Sequence, residues 1–268
     1  MTKKSIHYHV YGDESVSNNI ITYALFACSP SYESEVLRIL DNVKVDVMGR
    51  NDFSLHCRQL FHKHQREKMG FAYLDENKIR DLYFRLFTAL DNFKFKKIIV
   101  IANKHEFPEK NIPGSGWAPN ITINDKTLIS FCANASMIPF FHAFKQIDCI
   151  RFFADIDKSK IAWLGKKRQS IRTFNSYISG EDTKSDDVPR VSPEIYNEKP
   201  KLLEIADAIS YISAKALSVE QFKGKTWYSD LYNLISPYEV HFTRDPSNGQ
   251  FATNIGNADR IKLLLTAE

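Results

Sequence analysis

The stretch "KKIIVIANK", residues 96–104, is apolar at consecutive positions rather than alternate ones. A strand with one wet face alternates apolar and polar residues, so this run reads as a strand covered on both faces. The rest of the chain must then supply neighbouring strands and helices that lie over a sheet. Residues 5–13 and 20–28 ("NIITYALFA") are rich in β-branched and aromatic side chains and read as two strands joined by a polar turn. Helical spacing predicts a helix over 32–47, with Ser31 placed to cap it. A second helix is predicted over 75–91, where Ile79, Leu82, Tyr83, Leu86 and Leu90 form one apolar stripe.

"SLHCRQLFH" (54–62) reads as a short strand, and residues 105–120, with three prolines and two glycines, as a loop. A helix over 123–146 is weakened by Pro139; "CIRFFAD" (149–155) is a further strand and 159–178 a further helix. After the polar stretch "SGEDTKSDD", "VPRVSPEIY" reads as a strand and residues 201–217 as a helix, and the tail from 224 is turn-rich. Strands paired early, then strands alternating with helices, indicate an α/β domain whose mixed sheet starts antiparallel and continues through helical crossovers. No Pro/Gly linker divides the chain, so residues 1–268 are expected to form a single domain, with a core over about 5–220 and an irregular extension over 221–268.

Composition excludes few functions. The 268 residues are 43% hydrophobic and 25% charged, and the net charge of +4 is compatible with a polyanionic partner. No apolar run approaches the roughly 18 residues that span a bilayer, and no signal-peptide core precedes residue 15, so a cytoplasmic protein without membrane contact is expected. Cys28, Cys57, Cys132 and Cys149 stand far apart with no C-x-x-C, as in a protein with reduced thiols. Phosphate-binding-loop, dinucleotide-binding and nucleophile-elbow motifs are absent from the sequence.

Three places carry carboxylates that could meet. A two-metal phosphoryl-transfer site needs several of them converging on ions about 4 Å apart, and Mg²⁺ or Mn²⁺ suits such oxygen ligands. The first place is Asp13–Glu14 in "VYGDESVSNN". Successive strand residues face opposite ways, so Asp13 continues the face of Tyr11 and His9, and Glu14 that of Val10 and Tyr8. Taken alone, the pair reads equally as a solvated strand end leading into a turn. The second is "FFADIDKSK": Asp155 ends an apolar strand, whereas Asp157 reads as a helix cap. The third is "LLEIADAISYI", where Glu204, Asp207 and Tyr211 share one helix face opposite Leu202, Ile205, Ala206, Ile209 and Ile212. Asp is a poor mid-helix residue, and Ala206 and Ala208 beside Asp207 allow close approach.

Basic residues accompany them. "KSKIAWLGKKRQSIR" presents Lys160, Lys166, Lys167 and Arg172 on one helix face, suited to a phosphate backbone through charge and counterion release; such faces are also commonly just solvated. His56 stands where it could orient a phosphate or shuttle a proton, while His62 and His64, among Arg58, Lys63, Arg66 and Lys68, read as basic surface. No zinc-type spacing appears among the histidines.

Taken together, "YGDES" after the first strand, the histidine segment "SLHCRQL", the strand end "FFAD" and the helix "EIADAISYI" resemble a domain-of-unknown-function family, the one numbered 3800. They are similar to that family's Y-x-D-E-S-G opening, its short histidine segment, its strand-end Asp and its Q-x-A-D-x-I/L-A-Y helix, in the same order over roughly residues 6 to 217. The resemblance implies a ribonuclease H-like mixed sheet flanked by helices, with insertions, and metal-dependent nuclease chemistry. By position it implies Asp13, Glu14, Asp155 and Asp207 as site carboxylates. Two departures stand out: Val16 replaces the Gly after the Ser, and Glu204 stands where the pattern has Gln. The expectation is thus a Mg²⁺- or Mn²⁺-dependent nuclease acting on DNA or RNA. In it Asp13, Asp155 and Asp207 hold the ions, Glu14 or Glu204 assists, and Lys160, Lys166, Lys167, Arg172 and His56 hold the nucleic acid. The alternative is a non-catalytic nucleic-acid- or partner-binding module on the same fold, and self-association stays open.

Overall fold

The computed structural model describes residues 6–91, 96–108, 111–112, 121–136, 147–154, 190–194, 196, 198–218, 227–244 and 251–255. Its centre is a hairpin. β1 (Ile6–Ser17) pairs antiparallel with β2 (Ile20–Cys28) from His9↔Cys28 to Ser17↔Ile20. The turn is Asn18–Asn19, with Asn18 at φ 54°, a left-handed conformation that Asn tolerates. β1 therefore runs beyond the expected end at residue 13. Asp13 and Glu14 are not a hairpin tip: they lie inside the ladder, opposite Ala24 and Tyr23. Val16 also sits in the strand, opposite Ile21, so the turn makes no demand on it.

β3 (Lys96–Asn103) pairs antiparallel with β2, and Ile98 through Ala102 are all buried, as the continuous apolar run requires. β4 (Asn111–Ile112), inside the segment read as loop, and β5 (Ile121–Thr122), just after it, form a separate small ladder. β6 (Ile147–Ala154) lies parallel to β1 on its other side, and β7 (Arg190–Pro193) parallel to β6. The tail expected to be irregular adds β8 (Tyr238–Arg244), parallel to β3, and β9 (Phe251–Ile255), antiparallel to β8. β8 alternates buried and half-buried residues from Tyr238 to Phe242, the period of a one-sided strand. The mixed sheet thus has the order β7-β6-β1-β2-β3-β8-β9, flanked by helices on both faces.

On one face lie α1 (Glu33–Met48), α4 (Glu76–Asp91), α6 (Leu203–Ser218) and α7 (Trp227–Ile235). They pack on the β1–β2 side chains of the parity Tyr11, Ala24, Phe26 and Cys28. On the other face α5 (Asp125–Ala135) packs on Val10, Ile21, Tyr23 and Leu25. The α4 stripe is buried as expected, each large apolar side chain contributing about 2 kcal/mol. α1 begins after a short turn at Pro30–Tyr32 and ends at Gly49 (φ 77°); Ser31 lies in that turn and does not cap it. The expected strand 54–62 is instead a short helix, α2 (Cys57–Phe61), followed by α3 (Lys63–Lys68). Cys57 and Leu60, one helical turn apart, are its buried residues. Among the described residues, no helix is long and apolar enough to cross a membrane.

Candidate active site

Strand parity decides what faces α6. His9, Tyr11 and Asp13 alternate onto the α6 side of β1, and His9 and Tyr11 both hydrogen-bond Glu33 at the start of α1. Gly12 and Glu14 belong to the opposite parity. A Cβ on Gly12 would stand 2.7 Å from the Tyr23 hydroxyl and 3.0 Å from Phe152, so this position admits no side chain without displacement. Glu14 thus leaves the face that Asp13 occupies, although its N–H donates to Asp13 Oδ1 at 2.9 Å.

α6 is docked on this face by hydroxyls. Thr22 Oγ1 donates to the Ser210 carbonyl at 3.0 Å, and Ser17 and Ser218 hydroxyls pair at 2.9 Å. Small residues at Ala206, Ser210 and Ala214 are fully buried and let the helix lie close to the sheet. The helix is not amphipathic in the expected sense. Every residue from Leu203 to Ser210 is buried, Glu204 and Asp207 included, because the sheet covers one side and α2 and α7 the others.

Those two carboxylates have different surroundings. Glu204 Oε2 lies 2.5 Å from Lys44 Nζ on α1, and the polar groups of Leu55 and Ser54 also favour its charged form. Burial still holds its pKa above the ordinary range, with Lys44 the largest influence in the other direction. Glu204, expected among the metal ligands, thus lies against a buried lysine.

Asp207 accepts the Cys57 N–H at 2.7 Å, and its Oδ1 lies 3.5 Å from His56 Nδ1. The carboxylate that its charge reaches is Asp13. Asp13 is only 8% exposed and its pKa is pushed up to about 8, first by burial, then by the charges of Asp207 and Glu14. Asp207 is likewise raised by burial, against the Cys57 hydrogen bond, His56 and Lys199. Lys199, on the approach to α6, is the cation whose field lowers both groups.

No family model, curated protein or solved structure matches this chain.

Asp13, Asp207 and His56 are brought together from β1, α6 and the N-terminal end of α2. Glu14 influences the pair electrostatically from the other strand parity. Asp155, Lys160, Lys166, Lys167 and Arg172 lie outside the described residues. The last parallel pairing between β1 and β6 is Gly12↔Ala154; Asp13 and Asp155 are each the next residue in sequence. Among the described residues, no three His, Cys, Asp or Glu side chains are gathered as a ready metal cage.

Three features had no clear signal in the sequence. The Cys57 N–H is a backbone group. Lys199 is one lysine among many. Tyr196, whose hydroxyl donates to the Ala154 carbonyl at 2.7 Å, fastens the end of β6 from a segment read only as a strand.

Proposed function

We propose that this chain is a divalent-metal-dependent phosphodiesterase, a nuclease acting on DNA or RNA, on a ribonuclease H-like sheet. The observation that carries the reading is the Asp13–Asp207 pair: two buried carboxylates from different elements, with the charge of Asp207 reaching Asp13 and Lys199 the cation whose field reaches both. Like charges in a low dielectric oppose each other's ionisation, and a divalent cation is the partner that relieves both at once. The donors fit Mg²⁺ or Mn²⁺, which prefer hard carboxylate oxygens. The sheet supports the same reading: three antiparallel strands, then parallel strands added beside β1, with the carboxylates over the central pair.

In this proposal Asp13 and Asp207 hold the ion, with Asp155 as a third ligand from the end of β6. A bound ion supplies Lewis acidity toward water and phosphate oxygens. The protein's own groups do the rest. Asp13 must shed its proton before it can hold a cation, so metal affinity rises as the pH rises toward about 8. His56 keeps Nδ1 against Asp207 while its side chain is 43% exposed, which leaves the Nε2 edge to exchange protons with a substrate or solvent. Lys199 is placed to hold a phosphate oxygen, and Lys160, Lys166, Lys167 and Arg172 are proposed to track the backbone. The resemblance to the family numbered 3800 and a nucleic-acid partner belong to the same proposal.

The test is cleavage of labelled single- and double-stranded DNA and RNA with Mn²⁺. Wild type is expected to cleave at least one of them. Asp13→Asn and Asp207→Asn are expected to lower the rate by at least about 10²-fold while remaining folded. Equal activity in folded Asp13→Asn refutes the assignment, and metal binding without cleavage leaves a non-catalytic binding module.

A further inference from the structure

The Lys44–Glu204 pair is built in a way that a purely structural ion pair does not require. Lys44 is fully buried, and besides Glu204 its ammonium donates to the Phe53 carbonyl at 2.9 Å and lies 5.2 Å from the centre of the Phe53 ring. Glu204 in turn has the polar groups of Ser54 and Leu55 favouring its charged form. One pair that links α1 to α6 thus holds the Phe53 carbonyl and borders Ser54 and Leu55. The next two residues are His56 and Cys57, and one turn further along α6 Asp207 takes the Cys57 N–H and faces His56 Nδ1. Residues 53–55 lie outside any helix or strand and feed a helix of only five residues; Leu55 and the Phe53 ring pack on the core, and the Lys44 ammonium fixes the Phe53 carbonyl. His56 Nδ1 is buried without a hydrogen bond in the structure, so its place beside Asp207 has to come from its surroundings.

We propose that Lys44 and Glu204 are positioning residues: their buried pair clamps residues 53–55 so that His56 stays over Asp207. The role rests on the reading of Asp13 and Asp207 as the working pair, but its geometry stands whether or not the chain cleaves nucleic acid. A buried ion pair is a costly way to obtain stability alone, since apolar residues of similar volume commonly serve as well or better. The clamp accounts for a lysine in that place. It is directional, and it holds a backbone carbonyl that no apolar replacement could hold.

The decisive variant is Lys44→Met/Glu204→Leu, which replaces the whole pair rather than orphaning one charge. It is expected to melt within a few degrees of wild type. In it, amide exchange at Leu55 and Cys57 should accelerate by at least about tenfold while the α4 amides keep their protection. The His56 ring ¹⁵N resonances should move from a single-tautomer pattern toward a mixture. If wild type cleaves nucleic acid with Mn²⁺, kcat should fall by about tenfold with KM little changed, the size seen when outer-sphere support of a site is removed. Glu204→Gln leaves the Lys44–Phe53 hydrogen bond in place and is expected to retain most of the Cys57 protection. Wild-type exchange and His56 resonances in the double variant overturn the proposal. So does a loss of protection that is equal in both variants and spread over α4, because that marks general loosening. A wild type that fails to cleave any substrate refutes the nuclease reading and leaves the exchange and resonance results to decide the clamp.

Discussion

Glu204 and Asp207 are one turn apart on the same helix, both buried, both acidic, and they sit in opposite electrostatic situations. Glu204 meets a buried lysine, whereas Asp207 lies within the reach of another carboxylate, Asp13. Charge that is neutralised inside a protein serves the fold; charge of one sign gathered inside a protein works against the fold and is kept for something else. The contrast separates the support from the site without any appeal to relatives.

The two situations respond oppositely to the removal of charge. Lys44→Ala orphans Glu204 in the core and is expected to destabilise the protein by about 3–5 kcal/mol in urea unfolding. Asp13→Asn relieves repulsion and is expected to stabilise the metal-free protein at pH 8. The sign follows from linkage. The folded pKa of Asp13, about 8, lies above its ordinary value of 3.8, so between those values the folded state holds a proton that the unfolded chain releases. That contribution is complete below about pH 4 and is lost as the pH rises through about 8. Metal-free wild type should therefore melt lower at pH 8 than at pH 5 by roughly 5 °C more than Asp13→Asn does over the same interval. Parallel pH profiles for the two proteins would erase the distinction between the pair and the clamp.

Much of this contrast was legible before the structure, and the limits of that legibility have physical causes. Period-two alternation put Asp13 and not Glu14 on the face that proves to carry α6, because strand parity survives any tertiary context. Asp207 stood out for being an Asp in a helix between alanines, and those small neighbours do lie in the buried part of α6. The ion pair of Glu204 left no local signal because its partner, Lys44, is distant in sequence and sits among other charged residues of α1. Local pattern does not say which lysine is buried. "SLHCRQLFH" reads as a strand because it is short and half apolar; in the structure the Cys57 N–H donates to Asp207 at the start of a helix instead. The last strands of the sheet were missed because turn residues between them obscured a period that is plain once Tyr238, Val240 and Phe242 are seen buried together.

The most direct measurement is the melting temperature at pH 8 as Mn²⁺ is added to wild type, Asp13→Asn, Asp207→Asn and Glu204→Gln. Binding at a hundredfold excess over Kd stabilises by about 2.7 kcal/mol, so wild type should rise by roughly 5–10 °C. Glu204→Gln should rise with it, from whatever temperature it starts, and the two Asp variants should stay flat. A wild type that ignores the metal, or an Asp13→Asn that responds as fully as wild type, would contradict the assignment of this buried pair as a metal site.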